Sequence, residues 1–129
     1  MSGHGPLAGY RALDLTDHRG ALAGRLLADL GVDAVKVEPP GGDPDRGAPP
    51  WAGDRAGPTR SLAWLPVSFG KRSLTLDLET EDGRAALRRP AAAADFVPVW
   101  GEHTDRVFGE ILGLSSAEVG RLRAAEVIW

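Results

Sequence analysis

An α/β fold, with a mostly parallel sheet and flanking helices, is what this 129-residue sequence predicts. Three observations carry that prediction. Short β-prone runs alternate with segments of helical period. The first strand, helix and second strand follow one another with short connections, which reads as a right-handed βαβ unit with a parallel strand pair. The second strand then runs into Pro39-Pro40-Gly41-Gly42-Asp43-Pro44, a stiff glycine-rich loop at the strand's carboxyl end, where open α/β sheets put their ligands.

Each element has its own justification. Arg11-Ala12-Leu13-Asp14-Leu15 is a short strand following the turn at residues 6–9. Residues 16–20 are a connecting loop. Residues 21–30 form a helix in which Leu22, Leu26, Leu27 and Leu30 stand at i, i+4, i+5 and i+8 and make one apolar face. Gly31 sits where a glycine just past the helix closes it. Ala34-Val35-Lys36-Val37 is the second strand. Residues 39–58 are rich in Pro and Gly and have no period, and a loop of that length in a compact domain is usually functional or disordered. Ser61-Leu62-Ala63-Trp64-Leu65-Pro66 is apolar, and a helical turn and a strand both fit it. Ser73-Leu74-Thr75-Leu76-Asp77-Leu78 alternates as a third strand.

Thr80 is a good N-cap, with Glu81 and Asp82 at the positive end of the next helix. Pro90 falls inside that helix, at a cost of about 3 kcal/mol for an interior position, so a kink or an end near Arg89 is expected. Phe96-Val97-Pro98-Val99-Trp100 reads as a fourth strand, although Pro98 has no N–H for a ladder. Residues 105–112 read as helical. Ser115-Ser116-Ala117-Glu118 has the capping-box pattern of a last helix to about Ala125, and Glu126-Val127-Ile128-Trp129 resembles the start of another strand.

Composition narrows the function classes. A net charge of −3 is unlike the strongly basic face of a nucleic-acid protein. The absence of cysteine removes disulfides and thiolate metal sites. Met1-Ser2-Gly3-His4-Gly5 has no apolar core of a signal peptide, and no apolar run approaches the roughly 20 residues that span a bilayer. The expected setting is cytoplasmic, with no membrane or nucleic-acid partner.

Few constellations point to chemistry. Asp17-His18-Arg19-Gly20 lies just ahead of the first helix, where backbone N–H groups receive an anion and Arg19 adds a planar donor fork; taken alone, a solvated turn is the plainer reading. No G-x-G-x-x-G occurs, and only Glu38 at the end of strand two fits a dinucleotide site. Phe69-Gly70-Lys71-Arg72-Ser73 can meet a phosphate, but an exposed turn explains it better. His4, His18 and His103 lack metal-ligand spacing. Asp14 and Asp77 alternate with leucines and read as structural hydrogen-bond acceptors.

Two segments together resemble the N-terminal part of the class III CoA-transferases, the CaiB/BaiF family. One runs from Pro6-Leu7-Ala8-Gly9-Tyr10-Arg11-Ala12-Leu13-Asp14-Leu15-Thr16 through Gly24-Arg25-Leu26-Leu27-Ala28-Asp29-Leu30-Gly31 to Gly41-Gly42-Asp43-Pro44. The other is Gly70-Lys71-Arg72-Ser73-Leu74-Thr75-Leu76-Asp77-Leu78, followed by Thr80, Gly83 and Leu87. Leu112-Gly113-Leu114-Ser115 is a weaker echo. The resemblance covers most of the chain to about Ala94.

It implies a Rossmann-like large domain, of which residues 1–129 would be the N-terminal portion, incomplete relative to the family, with a long loop at 39–60. It implies a CoA thioester as substrate rather than a tightly bound cofactor. The reaction would be transfer of CoA between carboxylic acids or racemisation of an acyl-CoA. The positions matching the family's CoA contacts are His18, Arg19 and Gly20, then Pro39, then Leu76, Asp77, Leu78 and Glu79, with Arg106 as a further match. It also implies an interlocked homo-oligomer, or a complementary chain.

Departures from the family pattern are equally specific. Ala21-Leu22 stand where the family has Gly-Pro, and residues 99–104 replace its Glu-Asn-Phe and Pro-Gly. The family's catalytic aspartate falls after Trp129, so no catalytic residue is expected in this chain and no turnover by it alone. A non-catalytic CoA-binding or dimerising module, a split-enzyme subunit or a pseudoenzyme is the alternative. A generic nucleotide-binding domain would need a phosphate loop that the sequence lacks.

Overall fold

The computed structural model describes residues 4–99 and 104–125. Trp100, the Gly101-Glu102-His103 part of the altered segment, and the strand expected at 126–129 lie outside those residues. Within them, β1 (Arg11–Asp14), β2 (Asp33–Glu38) and β3 (Arg72–Thr75) pair in parallel in the order β1-β2-β3. Leu13 stands opposite Val35, and Val37 opposite Leu74. The βαβ reading holds: α1 (Ala21–Asp29) separates the first two strands, and Gly31 closes it with φ +100, a conformation natural to glycine.

The sheet is covered on both faces. Successive strand residues point to opposite sides. Ala12 and Ala34 pack with Val32, Leu27 and Ala28 on the α1 side. Leu13 and Val37 pack on the other side with Leu87 of α3 (Glu81–Ala92) and with Val107 and Ile111. The latter two belong to a π-helical segment, Arg106–Ile111, where the expectation was simply helical. Leu112 N–H donates to the Val107 carbonyl five residues back, at 2.9 Å, and so marks the wider turn. Both caps behave as read. The Thr80 hydroxyl accepts from Gly83 N–H at 3.1 Å, and Ser115 and Glu118 form a reciprocal box at the head of α4 (Ser116–Ala124).

Several expectations need correction. The leucine face of α1 is only partly turned to the core: Leu27 packs on it, while Leu22, Leu26 and Leu30 are exposed, and the buried residues of the helix are Ala21 and Gly24. The sheet surface beneath carries polar side chains at Asp14, Lys36 and Glu38, so the helix approaches it through small residues. The third strand is shorter than read and ends at Thr75; one more bond, from Leu76 N–H to the Glu38 carbonyl at 2.9 Å, extends the pairing. Of the two outcomes expected at Pro90, a kink or an end near Arg89, the end does not occur: α3 runs through Pro90 to Ala92. Proline is tolerated there because it sits in the last turn, where the one carbonyl it deprives is that of exposed Ala86.

The fourth strand is reduced to a single parallel bridge between Ala12 and Phe96. Leu13 N–H donates to the Phe96 carbonyl at 2.9 Å and Leu15 N–H to the Pro98 carbonyl at 3.0 Å. Pro98 thus accepts from Leu15 just past β1, but it has no N–H to give the Leu13 carbonyl, the next bond of a parallel ladder, and the pairing stops at one bridge. The resulting spatial order, β3-β2-β1 and then residues 96–99, is that of a Rossmann half-sheet.

The apolar run at 61–66 leads into a short helix, α2 (Trp64–Ser68). The long loop is ordered by two 3₁₀ turns, Pro44–Gly47 and Ala52–Asp54, and by a Trp51–Ser61 bridge. Among the described residues no helix is long and apolar enough to cross a membrane.

Candidate functional site

Strand order reverses between β1 and residues 96–99, and ligands of open α/β sheets bind outside the carboxyl ends of the strands at such a switch point. A cleft of about 220 Å³ opens there, lined by Leu15, Asp17, Leu78, Glu79, Val99, Arg106, Val107 and Ile111. Its floor is apolar and comes from Leu15 just past β1, Leu78, Val99 and the π-helical segment. Its rim carries Asp17, Glu79 and Arg106.

The first loop is folded on Asp17. The Asp17 carboxylate accepts from Arg19 N–H at 2.9 Å and from the Arg19 guanidinium at 2.9 and 2.5 Å. Those bonds hold the Asp17 carboxyl down to a pKa of about 2. Gly20 is the N-cap of α1, and the first turn of that helix holds no acidic side chain. The positive helix end therefore meets no internal carboxylate from its own turn. His18 projects into solvent, with its Nδ1 3.9 Å from the Asp45 carboxylate of the long loop.

The third loop is set by α3. A Cβ on Gly83 would fall 1.8 Å from the Asp77 carbonyl oxygen, so only glycine lets residues 76–79 lie against the helix. Asp77 accepts from Glu79 N–H at 3.1 Å, as the structural acceptor it was read to be. Arg106 bonds to the Glu79 carboxylate and lies 3.9 Å from that of Glu110.

Of the residues matching the family's contacts, Leu78, Glu79 and Arg106 therefore meet in the cleft, and His18, Arg19 and Gly20 follow its Asp17. Leu76 packs against the core, Asp77 shapes the turn, and Pro39 is exposed at the root of the long loop, where its carbonyl accepts from Gly42 N–H at 2.9 Å.

Glu38 settles the dinucleotide question. Its carboxylate accepts from Arg46 at 2.6 and 2.7 Å, from Ser73 at 2.7 Å and from Asp43 N–H at 2.7 Å. The Arg46 guanidinium holds it to a pKa of about 2, is itself raised in return, and lies 3.9 Å over the Trp64 ring. Every lone-pair direction is used, so no ribose hydroxyl can be bound. The segment 69–73 is an exposed turn at Phe69 and Gly70 leading into β3, and its polar side chains are engaged within the chain. Lys71 is buried on Asp14 at 2.7 Å, Arg72 pairs with Asp33 at 2.6 Å, and Ser73 serves Glu38.

What sequence reasoning missed is this layer of buried charge around Asp14, Lys36 and Glu38. Asp14 between leucines on one strand, and Lys36 and Glu38 two positions apart on the next, were its signal. No group of three or more His, Cys, Asp or Glu able to hold a metal ion occurs among the described residues. A larger cavity, about 430 Å³, opens at the opposite, amino ends of the strands between Arg11, Arg72, Leu74 and Pro90. It lies away from the switch point.

Comparison with known proteins agrees with the resemblance. The profile of CoA-transferase family III matches residues 7–117. A succinyl-CoA:(R)-benzylsuccinate CoA-transferase subunit (BbsE) of Thauera aromatica is 36% identical over 112 residues, covering 87% of this chain and 27% of its own length. A probable fatty acyl-CoA transferase of Mycobacterium tuberculosis is 42% identical over 100 residues, or 71% of this chain and 23% of that protein. A crystal structure of this mycobacterial protein superposes with a TM-score of 0.70 at 35% identity, covering 91% of this chain and 30% of that one. A CaiB/BaiF family protein of Brucella suis gives 0.66 at 33% identity, with 92% and 31% covered. This chain thus spans 27% and 23% of these two curated relatives and 30% and 31% of these two solved structures, and its fold is incomplete relative to theirs. By the family profile, the sequence identities and the shared fold together, the chain belongs to CoA-transferase family III.

Proposed function

We propose that this chain supplies part of a CoA-thioester site, at the cleft between β1, residues 76–79 and the π-helical segment. The observation that carries the reading is the position of that cleft at the topological switch point, with Arg106 on its rim and the Arg19 loop beside it. An apolar floor with a few convergent polar groups is the usual make-up of a small-molecule site. His18, Arg19, Gly20, Leu78, Glu79 and Arg106 are the residues proposed to meet CoA there, and Pro39, Leu76 and Asp77 to frame it. CoA is a substrate in this reading and not a resident cofactor.

The reaction proposed for the whole protein is CoA transfer between carboxylic acids or acyl-CoA racemisation, in the cytoplasm. The 129 residues alone are proposed to turn over nothing, because no position among them matches the family's catalytic aspartate. A homo-oligomer or a complementary chain would complete the site. The second reading, a CoA-binding module without catalysis, is favoured by one specific feature: the fourth strand is a single bridge, and proline stands within it.

Calorimetric titration of the chain with CoA tests the site. Measurable binding is expected, and Arg106→Ala should weaken it roughly tenfold, the equivalent of about 1.4 kcal/mol. No heat at millimolar CoA overturns the proposal. CoA transfer by the purified chain overturns the claim that it is inactive alone.

A further inference from the structure

The chain has only two lysines, Lys36 and Lys71, and neither reaches solvent: their side chains are 6% and 1% exposed. Both end on Asp14, which is fully buried on the α1 side of the sheet. Lys71 Nζ donates to the Asp14 carboxylate at 2.7 Å and to the Ala21 carbonyl at 2.9 Å, and so ties β3 to the first turn of α1.

Lys36 does something different. Its ammonium donates to the Thr16 backbone carbonyl, lies 3.8 Å from Asp14 Oδ1 and lies 3.6 Å from Asp43 Oδ2. Thr16 opens the first loop, and its own N–H and hydroxyl are held by Asp14 at 2.9 and 2.6 Å. Asp43 opens the ordered part of the long loop: its side chain caps the turn at Pro44–Gly47 by accepting from Asp45 N–H at 2.9 Å. One ammonium thus sits between the two loops that flank the carboxyl ends of β1 and β2.

A buried charge cluster is a poor device for raw stability, since well-packed apolar residues do as well or better. Its use here lies in what it fixes. Three oxygens approach the ammonium from three chain segments, and the compact, three-donor head of lysine suits that arrangement where a planar guanidinium does not. A second contact spans the same gap, from His18 to Asp45 of the long loop.

We propose that Lys36 is a positioning residue that locks the first loop to the start of the long loop, so that the two open and close as one unit. The inference rests on the CoA reading only for its consequence: the Arg19 loop and Pro39 would be presented to the ligand at a fixed spacing. The lock itself exists without ligand.

Hydrogen exchange of the full 129-residue chain without CoA reads the lock directly. Asp43→Asn keeps the Oδ1 that caps the turn and removes the charge facing Lys36; Lys36→Met removes the ammonium. Both are expected to raise exchange several-fold at residues 15–20 and at 42–47 together, leaving β1 and β2 protected. Loosening of one loop alone, of neither, or of the whole sheet equally overturns the proposal.

Amine acylation of the unmutated chain needs no variant to fold. Lys36 is expected to label faster than Lys71, because loop opening exposes it, and saturating CoA should slow Lys36 while leaving Lys71 unchanged. If calorimetry shows CoA bound and Lys36 labelling does not change, the lock is wrong and the CoA site stands. If CoA does not bind, the CoA site is wrong, and ligand-free exchange in Asp43→Asn still decides the lock.

Discussion

Gly24 shows how much one side chain decides. It lies inside α1, where alanine would normally raise helix stability by about 1 kcal/mol. A Cβ there, however, would stand 2.2 Å from Asp14 Oδ2 and 3.0 Å from Lys71 Nζ. The carboxylate would be forced off its lysine, and an unpaired buried charge costs about 3–5 kcal/mol. Gly24→Ala should therefore destabilise the chain by roughly 2–4 kcal/mol net, seen as a clear loss in chemical denaturation. A variant as stable as the parent would show that α1 can move away from the sheet without breaking the Asp14–Lys71 pair. The sequence showed Asp14 as an acceptor between two leucines. It did not show its donors, because Lys71 arrives from 57 residues away.

At the scale of elements, local rules and tertiary demands part company in instructive places. The strand–helix–strand start, the glycine stop at Gly31 and both helix caps were legible, since each depends on residues within a few positions. The orientation of α1 was not. Leucine spacing marks an apolar face but not which surface receives it: of the four leucines only Leu27 packs on the core, and over the charged layer Ala21 and Gly24 are the buried residues. The resemblance named loop and strand-end positions for the candidate site; the role of Gly83 appears only when α3 meets residues 76–79, whereas Asp17 bonds locally to Arg19.

The long loop is the clearest case of order hidden from the sequence, and its anchor is Glu38 with Arg46. The folded pKa of Glu38, about 2, lies below the ordinary 4.5. The pair therefore stabilises the fold fully above pH 4.5, and the contribution is lost as pH falls from there toward about 2. It should amount to roughly 2–3 kcal/mol at neutral pH, for a carboxylate that is almost wholly buried. Glu38→Gln should lower stability by that order at pH 7, with the gap to the parent chain closing as acid is added. An equal gap at neutral pH and at pH 2 would mean that Glu38 does not anchor the loop as an anion.

For the whole molecule, the unusual quantity is the apolar surface left outside. Leu22, Leu26 and Leu30 form an outward stripe along α1. Leu62, Leu65 and Phe69 stand exposed about α2, which packs against the same helix through Arg25: its guanidinium donates to the Pro66 carbonyl at 3.1 Å and lies 5.0 Å over the Phe69 ring. Scattered exposed leucines need no explanation, but a contiguous group on two packed helices does. It lies on the α1 face of the sheet, while the candidate cleft opens at the strand ends toward the π-helical segment, so association through it would leave the cleft open. The chain is accordingly expected to self-associate through this stripe at micromolar concentration. Leu22→Glu combined with Leu26→Glu should shift sedimentation toward the monomer. Thermal stability should change little, since neither residue belongs to the core and glutamate is a good helix former. Unchanged association in that variant would move attention to the outer edge of β3, which pairs on one side only among the described residues. CoA affinity measured on the same monomeric variant then separates the two roles, because a cleft contained within one chain keeps its affinity, whereas a cleft completed across the α1 face loses it.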